Sequence, residues 1–342
     1  MKFGMTFAEY LQHGEQEGFL NNCSHVEYKR LKKVLKSCRI CRAESHGEGE
    51  DDSGGGGGEG ASELCQCESK AAQCPACDQL FFAEIAKEAS EISGCFSSRA
   101  RQLRHLHLPS GLQRYMRHVR CCFVDDQNTL VQEGRMLIDY ITMNAIAMRK
   151  ILKKYDKIHS SVNGRNFKTT LRAKHIELLQ SPWLTELGAF CINSNNSDIG
   201  KSGEFIQQFS CDFSGAEPLM TLTLSNSVNL EYSLTCAVCL DTLFNPYALG
   251  CGHLFCKGCA CSSASVFLFE GPKAAPKGAK CPVCRAVGVY ANSVHLAELD
   301  LLLKNSCRDY WKERMQSERM EMVKQSKIYW ESQTKFAIGY GH

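Results

Sequence analysis

Between Cys236 and Cys284 the chain reads Cys236-x2-Cys239-x11-Cys251-x1-His253-x2-Cys256-x2-Cys259-x21-Cys281-x2-Cys284, and no other feature limits its fold as much. Zinc takes four soft or borderline ligands at tetrahedral corners, and a C-x2-C knuckle delivers two thiolates from one tight turn. Eight such positions in four pairs hold two ions. A module of this size has too little apolar core to fold alone, so it folds around its metals. Ordinary buried thiols would account for one C-x2-C, not for eight positions in this order. Two filled tetrahedra also leave no open coordination position, which makes the zinc structural and disfavours metal-assisted hydrolysis.

The remaining cysteines have to be read against the whole chain, which has 342 residues and 21 cysteines. A secreted disulfide scaffold is the first alternative. The opening MKFGMTFAEYLQHGEQEGF lacks an apolar segment of signal-peptide length, and the odd count would leave one cysteine unpaired. No apolar run approaches the roughly 18 residues that span a bilayer. The expectation is a soluble protein of a reducing compartment, cytoplasmic or nuclear, with any place at the plasma membrane a peripheral one. Lys plus Arg number 40 against 37 Asp plus Glu, a net charge of +3. No basic run lies near the zinc ligands either, and together these argue against a nucleic-acid binder.

Composition shifts divide the chain. Helical periodicity runs over residues 1 to about 40, and again from Phe81 to about Leu187, with LPSG at 108–111 and NG at 163–164 as breaks. Between them GEGEDDSGGGGGEG forms an acidic spacer. Pro182 suits the first turn of a short helix carrying Trp183 to Phe190. LMTLTL and VNLEYSL alternate around SNS, which predicts a β-hairpin. The expected fold is mainly α: a helical-hairpin bundle over 1–185 with an insertion at about 43–64, a linker with a short β-hairpin over 186–230, a small zinc-bound α+β module over 231–290, and a helical tail over 291–342. That tail reads as a helix packing on the zinc module, a contact for homo-oligomerisation or a grip on substrate.

Two helical segments gather lysines. Tyr28, Lys29, Lys32 and Lys36 cover about 100° of one face, as do Lys150, Lys153, Lys154 and Lys157. The other side of the second segment carries Ile141, Ala145, Met148, Ile151, Leu152 and Tyr155, a buried stripe. Each lysine set is either a solvated exterior or an anion site. Cys38-x2-Cys41 and Cys74-x2-Cys77, with Cys65 and Cys67, are either a third zinc site or unrelated thiols.

The ligand series resembles the RING finger of ubiquitin ligases in its C3HC4 form. That resemblance implies interleaved sites: Cys236, Cys239, Cys256 and Cys259 for one Zn2+, and Cys251, His253, Cys281 and Cys284 for the other. It also implies docking of a ubiquitin-conjugating enzyme charged with ubiquitin, through Leu240 after the second ligand and Pro282 in the last knuckle. Arg285 would hydrogen-bond both the enzyme and ubiquitin, a bridging role that a guanidinium fork suits. Packing against the zinc loops is the alternative for Leu240 and Pro282. Ser263 stands where many RINGs place a large residue, leaving Val266 or Phe267 for that role.

The opening MKFG, the Tyr-x-x-Leu-Lys string at Tyr28–Lys32 and KILKKYDKI resemble the SPX domain. That family's helical hairpins bind inositol polyphosphates, here implying Tyr28, Lys32, Lys150, Lys153, Lys154 and Lys157, with Lys2 from the helix start. The two together, with QSPWL, LTCAVCLDTLFNP, CGHLFC and SCRDYW, resemble the plant SPX-RING ubiquitin ligases of the nitrogen limitation adaptation type. The implied function is a RING-type ubiquitin transferase linked to phosphate status, with plasma-membrane phosphate transporters as clients. No covalent ubiquitin intermediate is expected, because no cysteine outside the zinc set has an identifiable activating base. The competing reading is a zinc adaptor that senses inositol phosphates without ligase activity.

Overall fold

The computed structural model describes residues 3–16, 23–35, 75–107, 124–159, 161–174, 176–194, 208–215, 217–224 and 228–339. Among the described residues the fold is mostly helical, with the small strands in the C-terminal half. The chain divides into two compact units, Met1–Arg99 with Asp139–Leu179, and Ala100–Ile138 with Gln180–His342.

The first unit contains α1 (Phe3–Gln16), α2 (residues 28–35), parts of the long helices α3 (Pro75–His107) and α4 (Val124–His159), and α5 (Asn163–Ala173). On α3, Phe81, Ile85, Ile92 and Phe96 recur at helical spacing and are buried, as is the α4 stripe expected from the sequence. The segment entering α2 is fastened to α4. Val26 donates its N–H to Asn144 Oδ1 at 2.8 Å, Asn144 donates to the Tyr140 carbonyl, and Tyr140 donates its hydroxyl to the Ser24 carbonyl. Arg30 ties α2 to α3 through Glu84 and Glu88; burial pushes the Glu88 carboxyl up to about 7 against the pull of Arg30 and the Glu27 amide.

Two details differ from the sequence reading. Cys23 and Cys95 form a disulfide with Cα atoms 5.9 Å apart. They are separated by 72 residues with no motif spacing, so the metal reading of this chain's cysteines does not extend to them. The NG pair does not separate two helices but opens α5, because α4 already ends at His159. Gly164 donates to Asp156 Oδ1 at 2.6 Å and Arg165 to Oδ2 at 3.1 Å, so a carboxylate on α4 caps α5. A Cβ at Gly164 would lie 2.6 Å from the Leu152 carbonyl oxygen, which reserves the position for glycine.

The second unit contains α6 (Pro182–Ser194) and the antiparallel strands β1 (Gln208–Asp212), β2 (Leu219–Leu224) and β3 (Val228–Ser233). The predicted hairpin is β2–β3, but β1 adds a third strand on β2, pairing Phe209 with Leu222 and Cys211 with Met220. The linker expected from residue 186 is likewise helical to Ser194, because Leu187, Ala189 and Phe190 continue an apolar face into the core. A second sheet of order β5-β4-β6 uses β4 (Pro246–Ala248), β5 (Leu254–Cys256) and β6 (Val294–His295). Helices α7 (Lys257–Ser263), α8 (Ala297–Ser306) and α9 (Arg308–Ala337) follow their strands. One buried cluster joins Ala189, Met220, Leu243, Phe255, Leu296 and Leu299, so the zinc module shares its core with α6, the first sheet and α8.

Glu186 locks α6 to α8. It is almost fully buried, and its two oxygens accept the N–H groups of Glu298 at 3.1 Å and Leu299 at 3.2 Å, orphan donors of the first turn of α8. Asn193 adds a bond to the Glu298 carbonyl at 2.9 Å. Replacing Glu186 by Ala strands those donors, and the expected cost is roughly 2–4 kcal/mol. Urea titration followed by tryptophan fluorescence should show an earlier transition for Glu186→Ala and a smaller displacement for Glu186→Gln. A wild-type midpoint for Glu186→Ala would refute the capping role.

Candidate metal centre and docking face

Two knuckles of the zinc module share one construction. In the first, Cys236 N–H bonds the Asp241 carbonyl at 2.8 Å and Leu240 N–H bonds the Cys236 carbonyl at 2.9 Å. In the second, Cys281 N–H bonds Ala286 and Arg285 N–H bonds Cys281, both at 3.0 Å. The bridges Thr235–Thr242 and Lys280–Val287 close the two turns. Leu240 and Arg285 therefore occupy equivalent places, both left-handed with φ of 61° and 58°. Backbone N–H groups turn inward at each knuckle, and the side chain after the ligands is turned out. The Cys251–His253 pair straddles Gly252 (φ +84°), where a Cβ would meet the Gln180 carbonyl at 2.8 Å. The Cys256–Cys259 pair joins the end of β5 to the first turn of α7.

These turns bring Cys236, Cys239, Cys256 and Cys259 into one group and Cys251, His253, Cys281 and Cys284 into another, with the donor atoms of each group within 4.8 Å of one another. His253 turns Nδ1 to Cys251 Sγ at 3.4 Å and to Cys281 Sγ at 3.8 Å. Backbone amides address the sulfurs: Phe244 N–H reaches Cys256 Sγ at 3.3 Å, and Cys256 N–H reaches Cys236 Sγ at 3.5 Å. The donor chemistry fits Zn2+. A hydrogen bond from Cys251 holds Cys281 down at about 3, while that same contact and burial push Cys251 up. Cys236 and Cys256 divide in the same manner, the first lowered and the second raised. Such crowded thiols cannot all ionise beside each other without a cation, and a dication in each group supplies what is missing. When bound, that ion would fix the fold.

Among those residues, Leu240 is 76% exposed, and Pro282 and Arg285 are exposed. Exposure of that degree removes the packing alternative for Leu240. Val266 packs against the core, whereas Phe267 stacks on Phe269 at 5.1 Å and meets Tyr329 edge-on at the surface.

Helix α9 braces this region, a role that the sequence reading left open among three. Tyr310 donates its hydroxyl to the Thr242 carbonyl at 2.5 Å and Arg314 lies 3.7 Å from Asp241, both just beyond Leu240. Trp311 donates to Asp300 at 3.1 Å, and the same Asp300 oxygen accepts Asn245 N–H at 3.0 Å. Asn245 also donates to Glu318 at 2.8 Å, and Leu268 N–H reaches Gln325 at 2.7 Å. The sequence signal for this face is the helical spacing of Trp311, Met315, Glu318 and Gln325.

In the first unit, Lys153 and Lys157 are exposed on α4 and Lys32 on α2. Lys154 is pulled below the ordinary lysine range by burial and then by the charge of Lys32. Lys150 sets its ammonium 4.1 Å from the Phe3 ring centroid, and Phe3 meets Tyr28 edge-on at 5.6 Å. The one acid of this segment, Asp156, is engaged as the α5 cap. Lys2 and Lys36 lie outside the described residues, as do Cys38, Cys41, Cys65, Cys67 and Cys74, and of Cys77 only the backbone is described.

Comparison with known proteins adds the family. Residues 236–282 match the RING-type zinc-finger family. The chain is 58% identical over 346 residues to the Oryza sativa subsp. indica protein named probable E3 ubiquitin-protein ligase BAH1-like 1, covering 99% of this chain and 100% of that one. It is 56% identical to an Arabidopsis thaliana BAH1-like protein and 42% identical to the Arabidopsis E3 ubiquitin-protein ligase NLA, each covered in full. The chain belongs to this family of plant E3 ubiquitin-protein ligases. No solved structure matches it. As a RING-type ubiquitin transferase of that family it holds Zn2+ and works with a ubiquitin-conjugating enzyme and ubiquitin. Family membership sets aside the adaptor without ligase activity. Among the described residues no helix is long and apolar enough to cross a membrane.

Proposed function

We propose that this ligase couples ubiquitin transfer to phosphate status. Its N-terminal unit is read as an SPX domain that binds inositol polyphosphates through Tyr28, Lys32, Lys150, Lys153, Lys154 and Lys157, with Lys2 completing the site. One observation carries this reading: Lys32 on α2 and Lys153 and Lys157 on α4 are exposed, and Lys154 beside them is lowered by burial and then by the charge of Lys32. A surface that gathers like charges from two helices gains from a polyanion that neutralises them.

On the RING side, Leu240 and Pro282 form the docking contact for the conjugating enzyme and Arg285 bridges it to ubiquitin, holding the thioester in a reactive geometry. Phosphate transporters of the plasma membrane are the proposed clients, met from the cytoplasm, with a nuclear pool also compatible with the sequence. Titration calorimetry of the full-length zinc-loaded chain with inositol hexakisphosphate tests the sensing half. The affinity should fall more than tenfold in Lys153→Ala/Lys154→Ala and should fall again with added salt. An affinity indifferent to both changes would overturn it.

A further inference from the structure

Helix α9 has two faces, and among the described residues only one of them packs on the zinc module. Trp311, Met315, Glu318, Gln325 and Tyr329 lie toward the zinc module. On the opposite side Gln316, Met320, Val323, Lys327, Trp330 and Thr334 follow one another at intervals of four and three. At about 100° per residue they form a stripe roughly 80° wide, the width of a two-stranded coiled-coil seam. Met320, Val323 and Trp330 are 60%, 68% and 66% exposed. A tryptophan, a valine and a methionine on one seam of a long helix imply a covering surface.

We propose that this seam pairs with the same seam of a second copy, antiparallel, making the ligase a homodimer through α9. The charges select both partner and direction. In a parallel pair Lys327 would face Lys327 of the partner subunit, and Arg319 would flank Lys324 of the partner subunit, like against like in both places. In the antiparallel pair that sets Lys327 against Trp330 of the partner subunit, the ammonium meets an aromatic face. Val323 then meets Thr334 of the partner subunit, and Met320 meets Ala337 of the partner subunit. The flanking positions bring Lys324 opposite Glu331 of the partner subunit. The two-fold axis repeats each contact, so a single stripe supplies both halves of a self-complementary interface. A heterologous partner would have no need of that internal match.

The test is light scattering and sedimentation of the full-length zinc-loaded chain up to about 100 µM. A dimer is expected, weakened roughly tenfold by Lys324→Glu and equally by Glu331→Lys, since each reversal sets two like-charge contacts across the axis. The double reversal should restore wild-type association, and circular dichroism of each variant reads any effect on the helix itself, since Glu331 also lies 3.8 Å from Lys327 of its own chain. A chain monomeric throughout overturns the proposal, as does a dimer insensitive to the single reversals or weakest in the double one. A monomer in which Trp330→Glu nonetheless lowers ubiquitin discharge would also overturn it and assign the face to a different protein.

Discussion

Cys256→Ala should empty both metal sites, unfold the zinc module and reduce ubiquitin transfer below one hundredth of wild type. Cys236, Cys256 and Cys281 are buried among Leu243, Phe255, Ala260 and Leu296, so the ligands are part of the core and not an appendage to it. A structural zinc site contributes on the order of 10–16 kcal/mol of binding free energy, comparable to or larger than the whole stability of a typical domain. Interleaving spreads the damage, because losing one ion frees the loops that present ligands to the other. The Phe244 amide, which addresses the Cys256 sulfur, would also lose its acceptor. Cys261 provides the control. It is equally buried, yet it belongs to neither donor group, so Cys261→Ala should keep its zinc and most of its activity. Elemental analysis and single-turnover discharge of a loaded conjugating enzyme read the two outcomes. A Cys256→Ala protein that stays folded with its full zinc content would show that the metal does not hold this module together.

The zinc module was legible because its physics is written locally. Coordination chemistry fixes which residue types occur and at what spacing, so the eight ligands could be read in order along the chain, and the RING resemblance supplied their interleaved grouping. Leu240 and Arg285 came from the resemblance to RING fingers, as the residues that follow a ligand pair, and both are exposed at left-handed positions. What lay beyond reach was each contact whose partners share no local pattern. Glu186 reads as one more polar residue of a short helix, and only the fold reveals that it caps a helix more than a hundred residues later. Asp156 looks like a charge among lysines, yet it is engaged by the amides of the next helix. Strand β1 has one clear alternation, Phe209 and Cys211, too little to outweigh a polar linker until β2 stands beside it. The Cys23–Cys95 pair has no spacing to read at all.

Changing Leu240 and Arg285 should separate docking from chemistry. Both side chains point outward from left-handed positions that alanine tolerates about as well as the residues present, so neither change should alter the melting transition by more than a degree or two. Leu240→Ala removes an exposed apolar anchor. Such an anchor at the centre of an interface contributes about 2 kcal/mol or more, so the concentration of conjugating enzyme needed for half-maximal discharge should rise by roughly thirtyfold. Arg285→Ala should behave differently, because the bridge to ubiquitin proposed for it would orient the thioester after docking and act on the maximal rate. A tenfold or greater fall in saturated discharge with little change in half-saturation is the expected signature. The first knuckle has a further support in the Tyr310 and Arg314 contacts of α9. Tyr310→Phe should therefore reproduce a milder version of the Leu240 defect while leaving saturated discharge intact. Wild-type kinetics in both Leu240→Ala and Arg285→Ala would move the docking surface elsewhere on the zinc module. The same half-saturation defect in both would reduce Arg285 to a second anchor with no part in orienting ubiquitin.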